Sequence, residues 1–191
     1  WMGVGPLVAG AVAEMFGLKW QAMIQGLAFM SHQLGSFLGA YGGGLMINDQ
    51  PDVETIRTIC AAHVPFGTTS LLVTLITDTP EVTAATIRAG ADALAAKVPG
   101  FLGLHLEGPH LSVARKGAHD PALIRPMLDA DLAMILGARR HVPVLLVTVA
   151  PESVGPDQIE VLSKSGVVVS LGHTDARYAT AVTCIEAGAS M

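Results

Sequence analysis

Glu107 and His173 are the side chains whose type and placement could do chemistry together. Each closes a hydrophobic run: Phe101-Leu-Gly-Leu-His-Leu-Glu107 stops at Gly108-Pro109, and Val167-Val-Val-Ser-Leu171 runs into Gly172-His-Thr-Asp175. A carboxylate oxygen and an imidazole nitrogen both suit a divalent metal such as zinc or iron. A catalytic ion usually takes three protein ligands and a water, and the residues offer two good candidates without an obvious third. Plainer readings stand beside this one. A strand-end Glu can cap the next helix or pair with Arg115, and a strand-end His can be a hydrogen-bonded rim residue. His105, two positions before Glu107, points to the same side of its strand, where packing is the favoured role and support of a metal ligand the other.

The loop Pro109-His-Leu-Ser-Val-Ala-Arg-Lys-Gly-Ala-His-Asp-Pro121 follows the acid. Arg115 and Lys116 could meet an anion, Gly117-Ala118 would let backbone approach a ligand, and His119 could hydrogen-bond it. A solvated loop would contain the same residues.

These residues need elements to position them, and the chain after Asn48 supplies a repeating pattern. Val53, Ile56, Cys60 and Val64 recur at helical spacing until Pro65-Phe-Gly67. Residues 68–77 are β-branched and aliphatic and predict a strand. Thr79-Pro80-Glu81 is an N-cap, a first-turn proline and an acid suited to the helix dipole, opening a helix to about Val98. The alternation continues with strands over 101–106, 143–149 and 167–171 and helices over 121–136, 156–163 and 176–187. Gly67, Gly100, Gly166 and Gly188 stand where helices need a left-handed C-cap. The strands are apolar on both faces, as in a covered parallel sheet. A barrel and a doubly wound sheet both fit, and no Gly-x-Gly-x-x-Gly follows the first strand. Polar residues ending strand after strand (Thr74 and Thr77-Asp78, Glu107, Thr148 with Glu152, His173-Thr174-Asp175) favour the catalytic face of a barrel. The fold class is therefore α/β: an incomplete (β/α)8 TIM-type barrel of about four βα units, over residues 48–191, preceded by an apolar helical, transmembrane-like segment over 1–47.

The chain has 191 residues, 51% hydrophobic and 14% charged, where an average soluble domain carries about 25% charge. A formal charge of -5 argues against nucleic acid as a partner. Cys60 and Cys184 form no redox or metal pair, which suits reduced thiols in the cytoplasm. Residues 20–48 hold no charged side chain, long enough to span a bilayer, and Gly35, Gly39 and Gly43 have the spacing of close helix packing in membranes. A buried helix of a soluble protein is the alternative, since Gln21, Gln25, Ser31, His32 and Gln33 interrupt the run. His32 has both a functional and a packing reading.

Two resemblances follow from the motifs. Met15-Phe-Gly17 with Gly26-Leu-Ala-Phe-Met-Ser-His-Gln-Leu-Gly-Ser-Phe-Leu-Gly-Ala-Tyr-Gly-Gly43 resembles a helix end and the next helix near the C-terminus of a major facilitator superfamily transporter. Gly67-Thr-Thr-Ser-Leu-Leu-Val-Thr-Leu-Ile-Thr-Asp78, His105-Leu-Glu-Gly-Pro109, Arg115-Lys-Gly-Ala-His-Asp-Pro121, Val149-Ala-Pro-Glu152 and Ser170-Leu-Gly-His-Thr-Asp175 resemble the N-acetylglucosamine-6-phosphate deacetylases, (β/α)8 barrels of the amidohydrolase superfamily. This second resemblance covers about residues 42–191.

It implies Glu107 and His173 as metal ligands for zinc or iron, and Ala118, through its backbone, and His119 as contacts to an amino-sugar phosphate substrate. It implies hydrolysis of the acetamide, with an aspartate as general base and then acid, in a homo-oligomeric full-length enzyme of the cytoplasm. The family's third metal histidine and its aspartate belong after Met191, and His110 stands where a bulky aromatic is expected. The resemblances meet at Tyr41-Gly-Gly-Gly-Leu-Met-Ile-Asn48 and imply a chimera that is inactive as a truncated chain. A transporter fragment, membrane-associated through residues 1–47, and a non-catalytic sugar-phosphate-binding module are the alternative functions.

Overall fold

The computed structural model describes residues 47–191 and, before them, residues 14, 15, 17–21, 23, 24, 26 and 27. The chain divides into two compact units, Trp1–Gly42 and Gly43–Met191. The described residues of the first unit are mostly helical. Most of the segment read as membrane-spanning, including its three spaced glycines and His32, lies outside the described residues. Among the described residues, no helix is long and apolar enough to cross a membrane.

In the second unit, helices and strands alternate: α1 (Val53–His63), β1 (Leu71–Ile76), α2 (Pro80–Ala95), β2 (Phe101–Glu107), α3 (Asp129–Arg139), β3 (Leu145–Val149), α4 (Pro156–Lys164), β4 (Val168–Leu171) and α5 (Tyr178–Glu186). Their boundaries have local causes. Asp52 caps α1 by accepting the Thr55 N–H at 2.8 Å, and Thr79 caps α2 by accepting that of Val82 at 3.3 Å, with Pro80 in the first turn. Gly67, Gly166 and Gly188 follow their helices with φ of 83°, 83° and 114°, as the sequence leads one to expect. After α2 two residues are left-handed: Lys97, at φ 51°, ends the helix, and Gly100, at φ 79°, turns the chain directly into β2.

The expected helix over 121–136 begins eight residues later. Pro126 disfavours helical backbone at Arg125, whose N–H donates to the Pro109 carbonyl and whose own carbonyl accepts from His110 Nδ1 at 3.1 Å. Residues 121–128 therefore cross the loop that follows β2. The helix starts where the Asp131 carboxylate accepts the Leu128 N–H at 2.9 Å. Arg125 grips the same carboxylate through its two terminal nitrogens, Nη1 and Nη2.

All four strands are parallel and lie in the order β1-β2-β3-β4. A doubly wound sheet reverses order at a switch point; among the described strands there is no reversal. The register aligns Ile76 with Glu107, Glu107 with Thr148 and Thr148 with Ser170, so the C-terminal strand ends stand level. Val73, Leu75, Phe101, Leu104, Leu106, Leu145, Val147, Val149 and Val169 make the sheet's share of the core, packed against helical residues that include Ile56, Ile135, Ile159 and Leu162. Gly103 is where β2 and the approach to β3 come closest: a Cβ there would meet the Val144 carbonyl oxygen at 1.9 Å. Cys60 and Cys184 are free and buried.

Both flanks of the sheet carry further partners. Beside β1, the Asn48 amide accepts the Ile76 N–H at 3.3 Å and donates to the Ile76 carbonyl at 3.2 Å. Beside β4, Ser190 N–H donates to Val169 and Leu171 N–H to Met191.

Candidate metal centre

Glu107 is the last residue of β2, and the chain leaves it through Gly108, at φ 90°, and a cis bond to Pro109. A side chain at Gly108 would strike Thr77 Oγ1 at 2.1 Å, so only glycine lets the turn lie over the end of β1. His173 stands two residues beyond β4 with φ 49°, a conformation rare outside glycine, though commoner for His than for most residues. Strand order sets the two on the same end of the sheet, and the loop after β4 carries His173 back past the end of β3, so that its Nε2 lies 3.1 Å from Glu107 Oε1. His119, from the loop after β2, is buried beside them, its Nε2 4.0 Å from Glu107 Oε2 and its ring edge-on to that of His173 at 4.7 Å. Ligand atoms of Glu107, His119 and His173 all lie within 4.8 Å of one another.

The neighbours of the two imidazoles assign them different tautomers. His173 Nδ1 is 2.9 Å from the Arg115 carbonyl oxygen, which can only accept, so Nδ1 carries the proton and a neutral ring offers the Nε2 lone pair. His119 Nδ1 accepts the Thr77 backbone N–H at 3.3 Å and lies 2.7 Å from the Thr77 hydroxyl, so its proton sits on Nε2. Burial holds the His119 imidazole below its ordinary pKa, against the pull of Glu107, which keeps the ring neutral. With both rings neutral, His173 presents a lone pair towards the carboxylate and His119 an N–H.

The donor set fits a divalent ion. An imidazole lone pair facing a carboxylate oxygen at 3.1 Å is repulsive unless a proton or a cation stands between them. Two donors each about 2.0–2.1 Å from one tetrahedral ion are separated by roughly 3.3 Å, close to that spacing. In the tautomer that Thr77 selects, the His119 N–H is a hydrogen-bond donor beside such an ion.

The surrounding polar residues divide into supports and rim. His105 joins three strands, its Nδ1 3.1 Å from Thr74 Oγ1 on β1 and its Nε2 2.8 Å from Thr148 Oγ1 on β3. Desolvation lowers its pKa, more than Glu107 raises it. Ala118 lies exposed in the turn before His119. Arg115, read from sequence as a partner for Glu107 or for an anion, instead gives Nε and Nη2 to Asp175 at 2.9 and 2.6 Å. That pairing joins residues 60 apart and had no local signal. Nor had the grip of Thr77 on His119, although Thr77 was already legible as a strand-end polar residue. His110, standing where an aromatic was expected, is buried like one, with its Nδ1 on the Arg125 carbonyl.

No protein-family profile matches the chain. It is 49% identical over 149 residues to the N-acetylgalactosamine-6-phosphate deacetylase of Shewanella sp. (strain ANA-3), covering 78% of this chain and 37% of that protein. It is 33% identical over 148 residues to the N-acetylglucosamine-6-phosphate deacetylase of Haemophilus influenzae, covering 78% of this chain and 38% of that one. The crystal structure of N-acetylglucosamine-6-phosphate deacetylase from Pasteurella multocida superposes with a TM-score of 0.72 at 33% identity, over 78% of this chain and 38% of that structure. The chain thus spans less than two fifths of the length of these relatives. The transporter resemblance of residues 1–47 rests on sequence alone. Over about 78% of its length, this chain is homologous to the N-acetylglucosamine-6-phosphate and N-acetylgalactosamine-6-phosphate deacetylases, enzymes of the amidohydrolase family.

Proposed function

We propose that residues 48–191 carry the ion-holding residues and part of the substrate-contacting surface of an N-acetylhexosamine-6-phosphate deacetylase, built on four βα units of (β/α)8 type. The observation that carries this reading is His173 Nε2 facing the Glu107 carboxylate at 3.1 Å across the level strand ends of a parallel sheet. Glu107 and His173 hold the ion, and His119 and the backbone of Ala118 meet the substrate.

The reaction adds water across the acetamide C–N bond, releasing acetate and the free amine of the sugar phosphate. A bound zinc or iron ion supplies Lewis acidity and lowers the pKa of water to near neutrality. His119 donates its Nε2–H to a substrate oxygen from a fixed, buried position, because Thr77 holds the opposite nitrogen. The carboxylate of Glu107, at the strand end, is oriented by the sheet rather than by a flexible loop. The relatives' names divide between two epimers of the sugar, and the higher identity lies with the galactosamine enzyme.

Zinc and iron titration of the full chain by calorimetry tests the ion-holding role. Binding by the wild type that Glu107→Gln and His173→Ala each weaken at least 100-fold is expected; retention of wild-type affinity by either variant rejects it. Acetate release from both N-acetylhexosamine 6-phosphates then reads the activity and the preferred epimer.

A further inference from the structure

Glu152 lies three residues beyond β3 and belongs neither to the ion-holding pair nor to the substrate contacts described above. Its carboxylate nevertheless reaches the segment that carries His173. Oε2 accepts the Thr174 hydroxyl at 2.7 Å and Oε1 accepts the Asp175 backbone N–H at 2.7 Å. Burial opposes its charge, and the hydrogen bonds from Thr174 and Asp175, with help from Ser112, outweigh that and hold its carboxyl below the usual carboxylate range. These bonds fall on the two residues that directly follow the left-handed His173.

The same segment is tied on its other side to the loop after β2. Ser112 N–H donates to the His173 carbonyl at 3.0 Å, His173 Nδ1 donates to the Arg115 carbonyl, and Arg115 pairs with Asp175. Gly117 lies against the imidazole, where a Cβ would be 3.4 Å from Cε1. Three loops, after β2, β3 and β4, therefore converge on one histidine. Glu152 is the β3 loop's contribution and, among the described residues, the one side chain that binds both residues after it.

We propose that Glu152 is a positioning residue for His173: by fixing Thr174 and Asp175 it holds the imidazole with Nδ1 on the Arg115 carbonyl and Nε2 towards Glu107. This rests on the reading of Glu107 and His173 as the ion-holding pair. Removing such a support leaves both donors present but lets the histidine leave its line with the carboxylate, a loss of about 10- to 100-fold in metal affinity. The lower end applies, since Glu152 is exposed and water can replace part of its bonding.

The test uses the full chain in three forms: wild type, Glu152→Ala and Glu152→Gln. Without metal, imidazole ¹⁵N shifts are expected to show His173 Nδ1 protonated and held in one hydrogen-bonded state in the wild type, and averaged between ring orientations in Glu152→Ala. With zinc, Glu152→Ala is expected to bind about 10-fold more weakly and to give an altered cobalt d–d spectrum. Glu152→Gln, which keeps one acceptor and can reverse the bond to the Thr174 hydroxyl, is expected to restore the single hydrogen-bonded state and to bind within about 3-fold of wild type. Lys164→Ala, which breaks a surface pair with Glu160, serves as a control without effect. Wild-type ¹⁵N shifts and affinity in Glu152→Ala overturn the inference. So does a loss that Gln fails to relieve, because that is the signature of charge acting through space. A wild type that binds no zinc rejects the ion-holding reading instead, while the metal-free ¹⁵N comparison still decides the role of Glu152.

Discussion

At the scale of single residues, the site is set by which atom carries each proton. His173 and His119 are both near Glu107, yet hydrogen bonds on their far sides make one an acceptor and the other a donor. Exchange of Thr77 for Val removes the hydroxyl and leaves only the longer backbone bond to His119. On the proposed function, the Val variant is expected to weaken binding of N-acetylglucosamine 6-phosphate about 10-fold, with zinc affinity unchanged within 2-fold, and Thr77→Ser to restore it. A fall in zinc affinity would place His119 among the ligands. Gly108→Ala acts on the same contact by steric means, since its new Cβ would occupy the position of Thr77 Oγ1. The sequence made Glu107 and His173 legible because each ends an apolar run, a local signal. Their meeting, and the partners that choose the tautomers, depend on the order of strands and loops across 66 residues, which no short stretch encodes.

At the scale of elements, two contacts carry more than their share. Gly103→Ala would drive a methyl group into a backbone carbonyl that cannot move without shifting β3, and is expected to destabilise the fold by about 3 kcal/mol. Urea unfolding of the variant measures this. The Arg125–Asp131 pair starts α3 and pins the loop that precedes it; Asp131 is buried and Arg125 partly exposed. Asp131→Asn is expected to cost about 2 kcal/mol, less than for a fully buried pair, because the freed guanidinium can turn to water. Alternation of helices and strands was readable from periodicity and turn residues, and every strand was found within a few positions. The start of α3 was not, because Pro121 imitates a first-turn proline. What sets the true boundary is a carboxylate one turn into the helix and a distant contact with Pro109.

At the scale of the whole molecule, the buried polar groups make stability depend on pH. Burial lowers the pKa of His105, His110 and His119, so below about pH 6.5 the unfolded chain binds more protons than the folded one and stability falls with acidification. Hydrogen bonding to Arg125 lowers that of Asp131, whose contribution is present above about pH 4 and lost as pH falls through its depressed folded value. A plot of urea midpoint against pH is expected to decline in two steps, and His110→Phe to make the upper step shallower. A midpoint independent of pH between 7 and 5 would contradict the neutral state of these histidines. The strand order has a further consequence, for the time course of synthesis. Each strand pairs with the one made before it, so the sheet can grow in the direction in which the ribosome delivers the chain. Glu107 is in place two strands before His173, and the proposed ion-holding pair is complete only when the segment after β4 has docked. Metal uptake during translation would then act as a late lock, stabilising a sheet already assembled rather than nucleating it.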